Sequence, residues 1–493
     1  MKQQNTKSQF SFKHILCFIL ILIPLFLKAQ SLNVVDNESL EPIPYASVEI
    51  FEMQVQSYCD ENGQLELNIL SNNTPIIISA NGYKSTSFMY KIGGPTSYNI
   101  KLEKSHILLN EIVVSPTTGI IQKYNLSNVF LKKISQTDQL MAPNLMELIT
   151  SVPGVYSINT GASISKPVIR GLSGLKVVTF LNGLRIENQQ WANDHGIGFT
   201  ELGLGKVELI KGSSALRYGS ETIGGLLYFK DQPFVKMDGL EGFVGSKFNM
   251  NSHSNSNQFG IKWNKKHLFL NLFGEYVISS DYKLPNGEYL FNSRFSKNTI
   301  KFSLSHKKNN LQNTFRYQLN NELTGIPAHV CLGDPSQIPL KDLLSESFDF
   351  NKDFEIKTPY QDVTNNLFVY DMNYFLNNTK MNLYVGHFIN NLKEYEQVTR
   401  PAFDLILSNT LINPNVKYFY NNSTLEFGSQ FSILNNKNNI NERLVPDASS
   451  FNIGPYGIFN YETNNIGLNL GARFDYKTLK SKDNTTTSNM IFN

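Results

Sequence analysis

A chain of 493 residues is too long for one ordinary domain and makes two or three the expectation. It is 41% hydrophobic and 17% charged, with 34 Phe and 23 Tyr. No apolar run after residue 30 reaches the ~18 residues of a membrane helix, which leaves open a β-barrel, whose lipid-facing residues alternate with polar ones. The net charge of +3 falls to −1 once residues 1–29, carrying Lys2, Lys7, Lys13 and Lys28 and no acid, are set aside. Nothing in the remainder suggests a nucleic-acid partner.

Lys2, Lys7 and Lys13 precede the apolar stretch Ile15 to Leu27, and Leu27 with Ala29 approximates the small-residue cleavage pattern. Residues 1–29 therefore read as a secretory signal peptide. A membrane anchor is the alternative, but such a stretch rises only about 20 Å as a helix against a ~30 Å core. Cys17 lies within the apolar run and not at the cleavage point. Cys59 and Cys331 fall in what read as different domains, so no disulfide framework is expected.

From Val34 to Leu102 short strand signals alternate with turns: Ala46-Ser47-Val48-Glu49-Ile50-Phe51, the turn Asp60-Glu61-Asn62-Gly63, then Gln64-Leu65-Glu66-Leu67, Ile76-Ile77-Ile78 and the turn Asn81-Gly82. Residues 30–109 read as a small β-sandwich. In Pro42-Ile43-Pro44-Tyr45-Ala46-Ser47-Val48 and the Asp60 to Leu65 turn it resembles the carboxypeptidase-regulatory-like, transthyretin-like domain that precedes many Bacteroidetes receptors. Next, Asn110-Glu111-Ile112-Val113-Val114-Ser115-Pro116 is a β-prone stretch ended by a proline, on composition a last strand or a linker.

Helix and strand signals then alternate over 122–236. Asn144-Leu145-Met146-Glu147-Leu148-Ile149 is amphipathic and ends at Val152-Pro153-Gly154-Val155. Strand-like segments follow at Pro167 to Gly171, Val177 to Gly183 and Lys206 to Gly212. With Ser213-Ser214-Ala215-Leu216-Arg217-Tyr218-Gly219-Ser220 and Ile223-Gly224-Gly225-Leu226 closing the segment, this order is similar to the plug domain of TonB-dependent receptors. The resemblance maps the plug motif onto Arg170, Gly171, Asn182, Gly183, Glu208, Lys211, Gly212, Tyr218 and Gly219. The glycines read as sharp turns or close approaches to another chain, and each taken singly as an ordinary turn glycine.

Placed just before that region, residues 110–121 sit where a TonB box lies in the family, and Glu111, Ile112, Val113 and Val114 are similar to it. The resemblance implies TonB and the inner-membrane energy-transducing complex as partners, engaged by strand addition.

Beyond residue 236 come segments of about ten residues, aromatic-rich and imperfectly alternating: His267 to Tyr276, Asn366 to Tyr374 and Met381 to Phe388. This is the per-strand signature of a transmembrane β-barrel, with a soluble sandwich or propeller as the alternative on pattern alone. Residues 237–493 are therefore expected to be the N-terminal part of a barrel contacting outer-membrane lipid. A plugged transporter barrel has about 22 strands, whereas this length suffices for roughly 10 to 12. Gly467 to Tyr476 reads as a mid-barrel strand, so the barrel is expected to be incomplete at its C-terminus.

No G-x-S-x-G, H-E-x-x-H, P-loop or C-x-x-C appears, so no catalytic role and no resident cofactor are expected. The most informative polar cluster is Gln189-Gln190-Trp191-Ala192-Asn193-Asp194-His195-Gly196, an exposed plug loop by its flanks. A carboxylate beside an imidazole offers Zn²⁺ two ligands at about 2.0 to 2.2 Å; the plainer reading is a hydrogen-bonded loop packing the plug against the wall. An Asp-His pair here resembles the one in zinc-uptake receptors and maps to Asp194 and His195. The loop after Thr314 to Leu319 would add Glu322 and His329, with Cys331 and Asp334 as weaker candidates, unless these never converge.

The whole is thus expected to be a mainly β protein of the cell outer membrane with a periplasmic N-terminal domain. It is expected to take up a scarce substrate, zinc or another metal, with a siderophore or other iron chelate as the alternative. A non-transporting surface binding module or a defective receptor fragment is the rival from another class.

Overall fold

The computed structural model describes residues 30–492 apart from 45, 51–54, 61, 68–73, 81, 82, 84, 85, 92, 93, 104–128, 143, 160–162, 191–198, 211, 220, 223, 224, 236–238, 309, 328–343, 346–352, 377, 378, 397, 421, 422, 463–466, 482 and 483. The chain divides into two compact units, one holding the first seven strands and the other everything that follows.

The first unit contains β1 (Gln30–Asp36), β2 (Ser47–Ile50), β3 (Val55–Tyr58), β4 (Gln64–Leu67), β5 (Thr74–Ser79), β6 (Thr86–Tyr90) and β7 (Ser97–Leu102). They form a three-stranded sheet, β4-β1-β7, and a four-stranded sheet, β3-β2-β5-β6. Alternation along β1 buries Gln30, Leu32, Val34 and Asp36 on one face, and Val48, Ile76 and Ile78 supply buried residues from the second sheet. The turn before β4 is made by Asp60, whose carboxylate accepts from the N–H groups of Asn62 (2.9 Å) and Gln64 (2.7 Å). Gly63 there has φ +69°, and a Cβ would lie 2.6 Å from the Val34 carbonyl oxygen. Both requirements exclude a side chain.

The second unit opens with the plug: β8 (Val129–Lys133), short helices at Gln136–Met141 and Leu145–Ile149, β9 (Val155–Asn159), β10 (Ser165–Ile169), β11 (Val178–Leu181), β12 (Leu184–Arg185), β13 (Leu204–Ile210) and β14 (Leu226–Asp231). Five strands form one sheet in the order β12-β11-β14-β13-β8, and β9 with β10 forms a hairpin. The helix at 136–141 starts in a capping box between Ser135 and Asp138, and the next is capped by the Asn144 side chain. Gln139, fully buried, donates to the Leu204 carbonyl (2.6 Å) and accepts from the Gly203 N–H (3.2 Å), tying the first helix to the start of β13.

The wall follows: β15 (Leu240–Asn249), β16 (Ser254–Lys265), β17 (Leu268–Ser279), β18 (Tyr289–Leu290), β19 (Phe295–Lys308), β20 (Leu311–Gly325), β21 (Leu344–Ser345), β22 (Tyr360–Leu376), β23 (Thr379–Tyr395), β24 (Phe403–Tyr420), β25 (Ser423–Asn438), β26 (Ala448–Glu462), β27 (Gly467–Ser481) and β28 (Asn484–Phe492). All but β18 and β21 make one 12-stranded sheet in chain order, antiparallel throughout. Thr299, Lys301, Ser303 and Ser305 are buried along β19, while Ile300 is exposed on the other face. Apolar residues outside and polar residues inside is the pattern of a membrane barrel wall. Strands of 17 or 18 residues at β22, β23 and β24 exceed the ~10 expected and are longer than the ~9–11 that cross a bilayer. Connections at one end are short, as at 266–267, 309–310, 377–378 and 421–422, whereas the other end carries 280–294, 326–359, 396–402 and 439–447.

The sheet curves around the plug. One buried cluster joins Leu181, Leu184, Leu209 and Phe229 of the plug to Leu367, Val369, Tyr384, Phe388 and Leu411 of the wall. A Cβ on Gly245 of β15 would lie 3.0 Å from Leu140, and one on Gly471 of β27 would lie 3.1 Å from Leu216, so strands near both edges of the sheet touch the plug.

Candidate functional site

The interface between plug and wall is where the sequence motifs converge. Asn182 (φ +51°) and Gly183 (φ +95°) join β11 to β12. Two successive left-handed residues make the tight turn that Asn-Gly favours. A Cβ on Gly183 would lie 2.7 Å from the Tyr384 ring, so the backbone both turns and presses against the wall. The Asn182 side chain is fastened to Asp231 at the end of β14, and the other Asp231 oxygen accepts from Lys301 Nζ of β19 at 3.2 Å.

Arg170 and Gly171 follow β10 at φ +50° and +80°, with the Arg170 N–H donating to the Gly154 carbonyl at 3.1 Å. Tyr218 ends the 3-10 turn Gly212–Tyr218, and Gly219 follows it at φ +127°. Tyr218 packs with Phe180 and Tyr228, centroids 5.1 and 5.4 Å away. Next to it, Arg217 donates to Glu426 of β25 at 3.1 Å. From β27, Arg473 Nη1 donates to the carbonyls of Leu216 (3.4 Å) and Arg217 (3.5 Å). Asp475 grips the same guanidinium with both oxygens at 2.7 Å, and Gln430 accepts from it at 2.8 Å. A guanidinium held by a carboxylate fork is an oriented donor, aimed here at backbone that no side-chain substitution in the turn removes.

Glu208 is fully buried and ion-paired with Lys206 at 3.0 Å, and burial draws the Lys206 ammonium below its usual range. Arg185 and Lys477 both pair with Glu221, and the Arg185 guanidinium is the main reason its carboxyl drops to about 2. At the long-loop end, Glu201 is buried beside Glu275, and burial first, then that neighbour, push its carboxyl up to about 7.

Glu322 does not stand in a loop. The strand extends through Gly325, and Glu322 lies within it, paired with Lys297 at 3.8 Å and accepting from the Thr324 hydroxyl at 3.0 Å. Alternation continues past Leu319 with polar residues, and a polar inward face is what a lumen-lining strand tolerates. No group of three or more His, Cys, Asp or Glu side chains able to hold a metal occurs among the described residues. Asp194, His195, His329, Cys331, Asp334, Lys211 and the segment Glu111, Ile112, Val113 and Val114 lie outside the described residues.

The wall partners Lys301, Glu426, Arg473 and Asp475 did not stand out in the sequence. Their signal is the two-residue spacing of Arg473 and Asp475, which puts both on one face of a strand.

Residues 126–226 match the model of the TonB-dependent Receptor Plug Domain, and residues 33–114 match that of the CarboxypepD_reg-like domain. Over 93 residues the chain is 30% identical to a vitamin B12 transporter of Photobacterium profundum, covering 19% of this chain and 15% of that one. An iron transporter of Neisseria meningitidis superposes with TM-score 0.60 at 13% identity, over 74% of this chain and 60% of its own. The alcaligin outer-membrane receptor of Bordetella pertussis does so with TM-score 0.56 at 12% identity, over 76% of this chain and 60% of its own. The chain thus spans less than two thirds of the length of these relatives. It carries a TonB-dependent receptor plug domain, with a CarboxypepD_reg-like domain ahead of it.

Proposed function

We propose that the protein is an outer-membrane receptor that imports a scarce metal complex, driven through TonB by the inner-membrane energy-transducing complex. The observation that carries this reading is a plug seated inside the curved wall, joined to it by a shared apolar cluster and by polar links that include Asp231 to Lys301, Arg217 to Glu426 and Arg473 to the 212–218 turn. The end with the short connections faces the periplasm in barrels of this type and the long loops face outward; a periplasmic N-terminal domain is part of the proposal.

A metal chelate is favoured as cargo over bare zinc, because Glu322, expected as a zinc ligand, is engaged with Lys297. Relatives named as an iron transporter, a copper transporter and an alcaligin outer-membrane receptor support a cargo that contains a metal. Energy coupling is tested by Ile112→Pro or Val113→Pro in the TonB-box segment. Proline removes a donor needed for strand addition, so uptake should be abolished while ligand binding persists. Normal uptake in either variant overturns the reading.

A further inference from the structure

Lys380 of β23 and Lys417 of β24 are direct cross-strand partners in the ladder, close to the short connections 377–378 and 421–422. Side chains alternate faces along a strand. Lys380 therefore shares its face with Tyr384, which abuts Gly183 of the plug, and Lys417 shares its face with Leu411, which belongs to the plug–wall core. Both lysines face the lumen. Like charges directly opposite each other destabilise a sheet, and each is held in a way that does not neutralise it. The Lys380 ammonium lies 5.5 Å from the Phe375 ring centroid, and that of Lys417 lies 5.3 Å from the Phe419 centroid.

The nearby carboxylates are committed elsewhere. Glu426 stands opposite Lys417 in the ladder, but its carboxylate accepts from Arg217 of the plug at 3.1 Å. Asp371 accepts from the Asn382 amide at 2.6 Å and the Asn373 amide at 3.1 Å. Three cations, Lys380, Lys417 and Arg217, thus converge on this corner against two carboxylates, Glu426, which Arg217 already holds, and Asp371, which accepts from neutral amides. Both lysines are half-buried and so within reach of a small ion. A like-charge pair kept at a cost is a local rule broken where function offsets it.

We infer that Lys380 and Lys417, with Arg217 beside them, form an anion-binding site on the lumen wall at the short-connection end. It receives the carboxylate groups of a polyanionic chelate on its way out of the barrel. This rests on the transport reading above and narrows it to anionic cargo. Two ammonium groups on aromatic faces can replace part of a chelate's hydration without gripping the ligand as a guanidinium fork would.

The test is calorimetric titration of the full chain in detergent with citrate as a trianionic probe, which needs neither TonB nor uptake. The parent should bind citrate, and Lys380→Gln/Lys417→Gln should weaken it by at least about tenfold, consistent with the loss of two charge contacts. Lys380→Arg/Lys417→Arg should stay within about threefold, and affinity should fall with added salt. The glutamine variant should melt no lower than the parent, since it removes a like-charge pair; should it fail to fold, the single Lys380→Gln variant carries the same comparison. No citrate binding by the parent, or equal affinity in parent and variant, overturns the site. Energy coupling is judged separately by the proline variants, so the two failures are distinguishable.

Discussion

Asn182 and Asp231, 49 residues apart in sequence, exchange two hydrogen bonds: Asn182 Nδ2 donates to Asp231 Oδ2 at 2.7 Å and the Asp231 N–H donates to Asn182 Oδ1 at 3.0 Å. The pairing closes the β11–β12 turn onto the end of β14, and Lys301 carries it to the wall. Replacing Asn182 with alanine removes both bonds and leaves a side chain less suited to φ +51°. The expected cost is about 2 kcal/mol, the sum of two ordinary hydrogen bonds. Amide hydrogen exchange should speed up in β11 and β14 and not in β27, and uniform protection in all three would contradict the account.

Glu426 is buried and ion-paired with Arg217 at 3.1 Å. Glu426→Gln leaves a mostly buried guanidinium without its counter-charge, a change worth on the order of 3 kcal/mol. The turn 212–218 should become cleavable by protease at concentrations that spare the parent. Equal resistance would mean that Arg473 holds the turn without help.

Glu201 has its carboxyl raised to about 7 from a reference near 4.5. Between those values the folded protein keeps a proton that the unfolded chain releases, so stability is greatest below about 4.5 and declines as pH rises through 7. Glu201→Gln imitates the protonated form. Its melting temperature should exceed that of the parent at pH 8 and match it at pH 4, whereas a constant difference across that range would place the effect outside this carboxyl.

The Asp194-His195 reading is open to a direct test. Asp194→Ala/His195→Ala should weaken Zn²⁺ binding far more than Asn193→Ala does, and binding in the parent should decline below the ~6.5 reference pKa of imidazole, because only neutral imidazole coordinates. Identical zinc affinity in the double variant and the parent removes the pair from the site.

Several turns and strands were legible because their signals are local. Asn182-Gly183 names its own turn, Asp60 to Gly63 names another, and alternation at His267 to Tyr276 names a strand. The helix at 136–141 went unread because it holds six residues and one capping box, too short for a period to emerge. At Glu322 the local reading failed. Polar residues after Leu319 look like a loop, yet a strand facing a polar lumen carries the same composition.

What the sequence determined by itself was therefore the turns and the alternation of the strands, since each depends on residues within a few positions of one another. Only the tertiary structure decided which charges meet. Arg217 reaches Glu426 across 209 residues, and Arg473 reaches the carbonyls of the same turn across more than 250. Lys380 faces Lys417 only because a ladder register aligns them. A strand's period tells which side a charge is on, but its partner is fixed by curvature, register and the placement of the plug, none of which is written in any window of the chain.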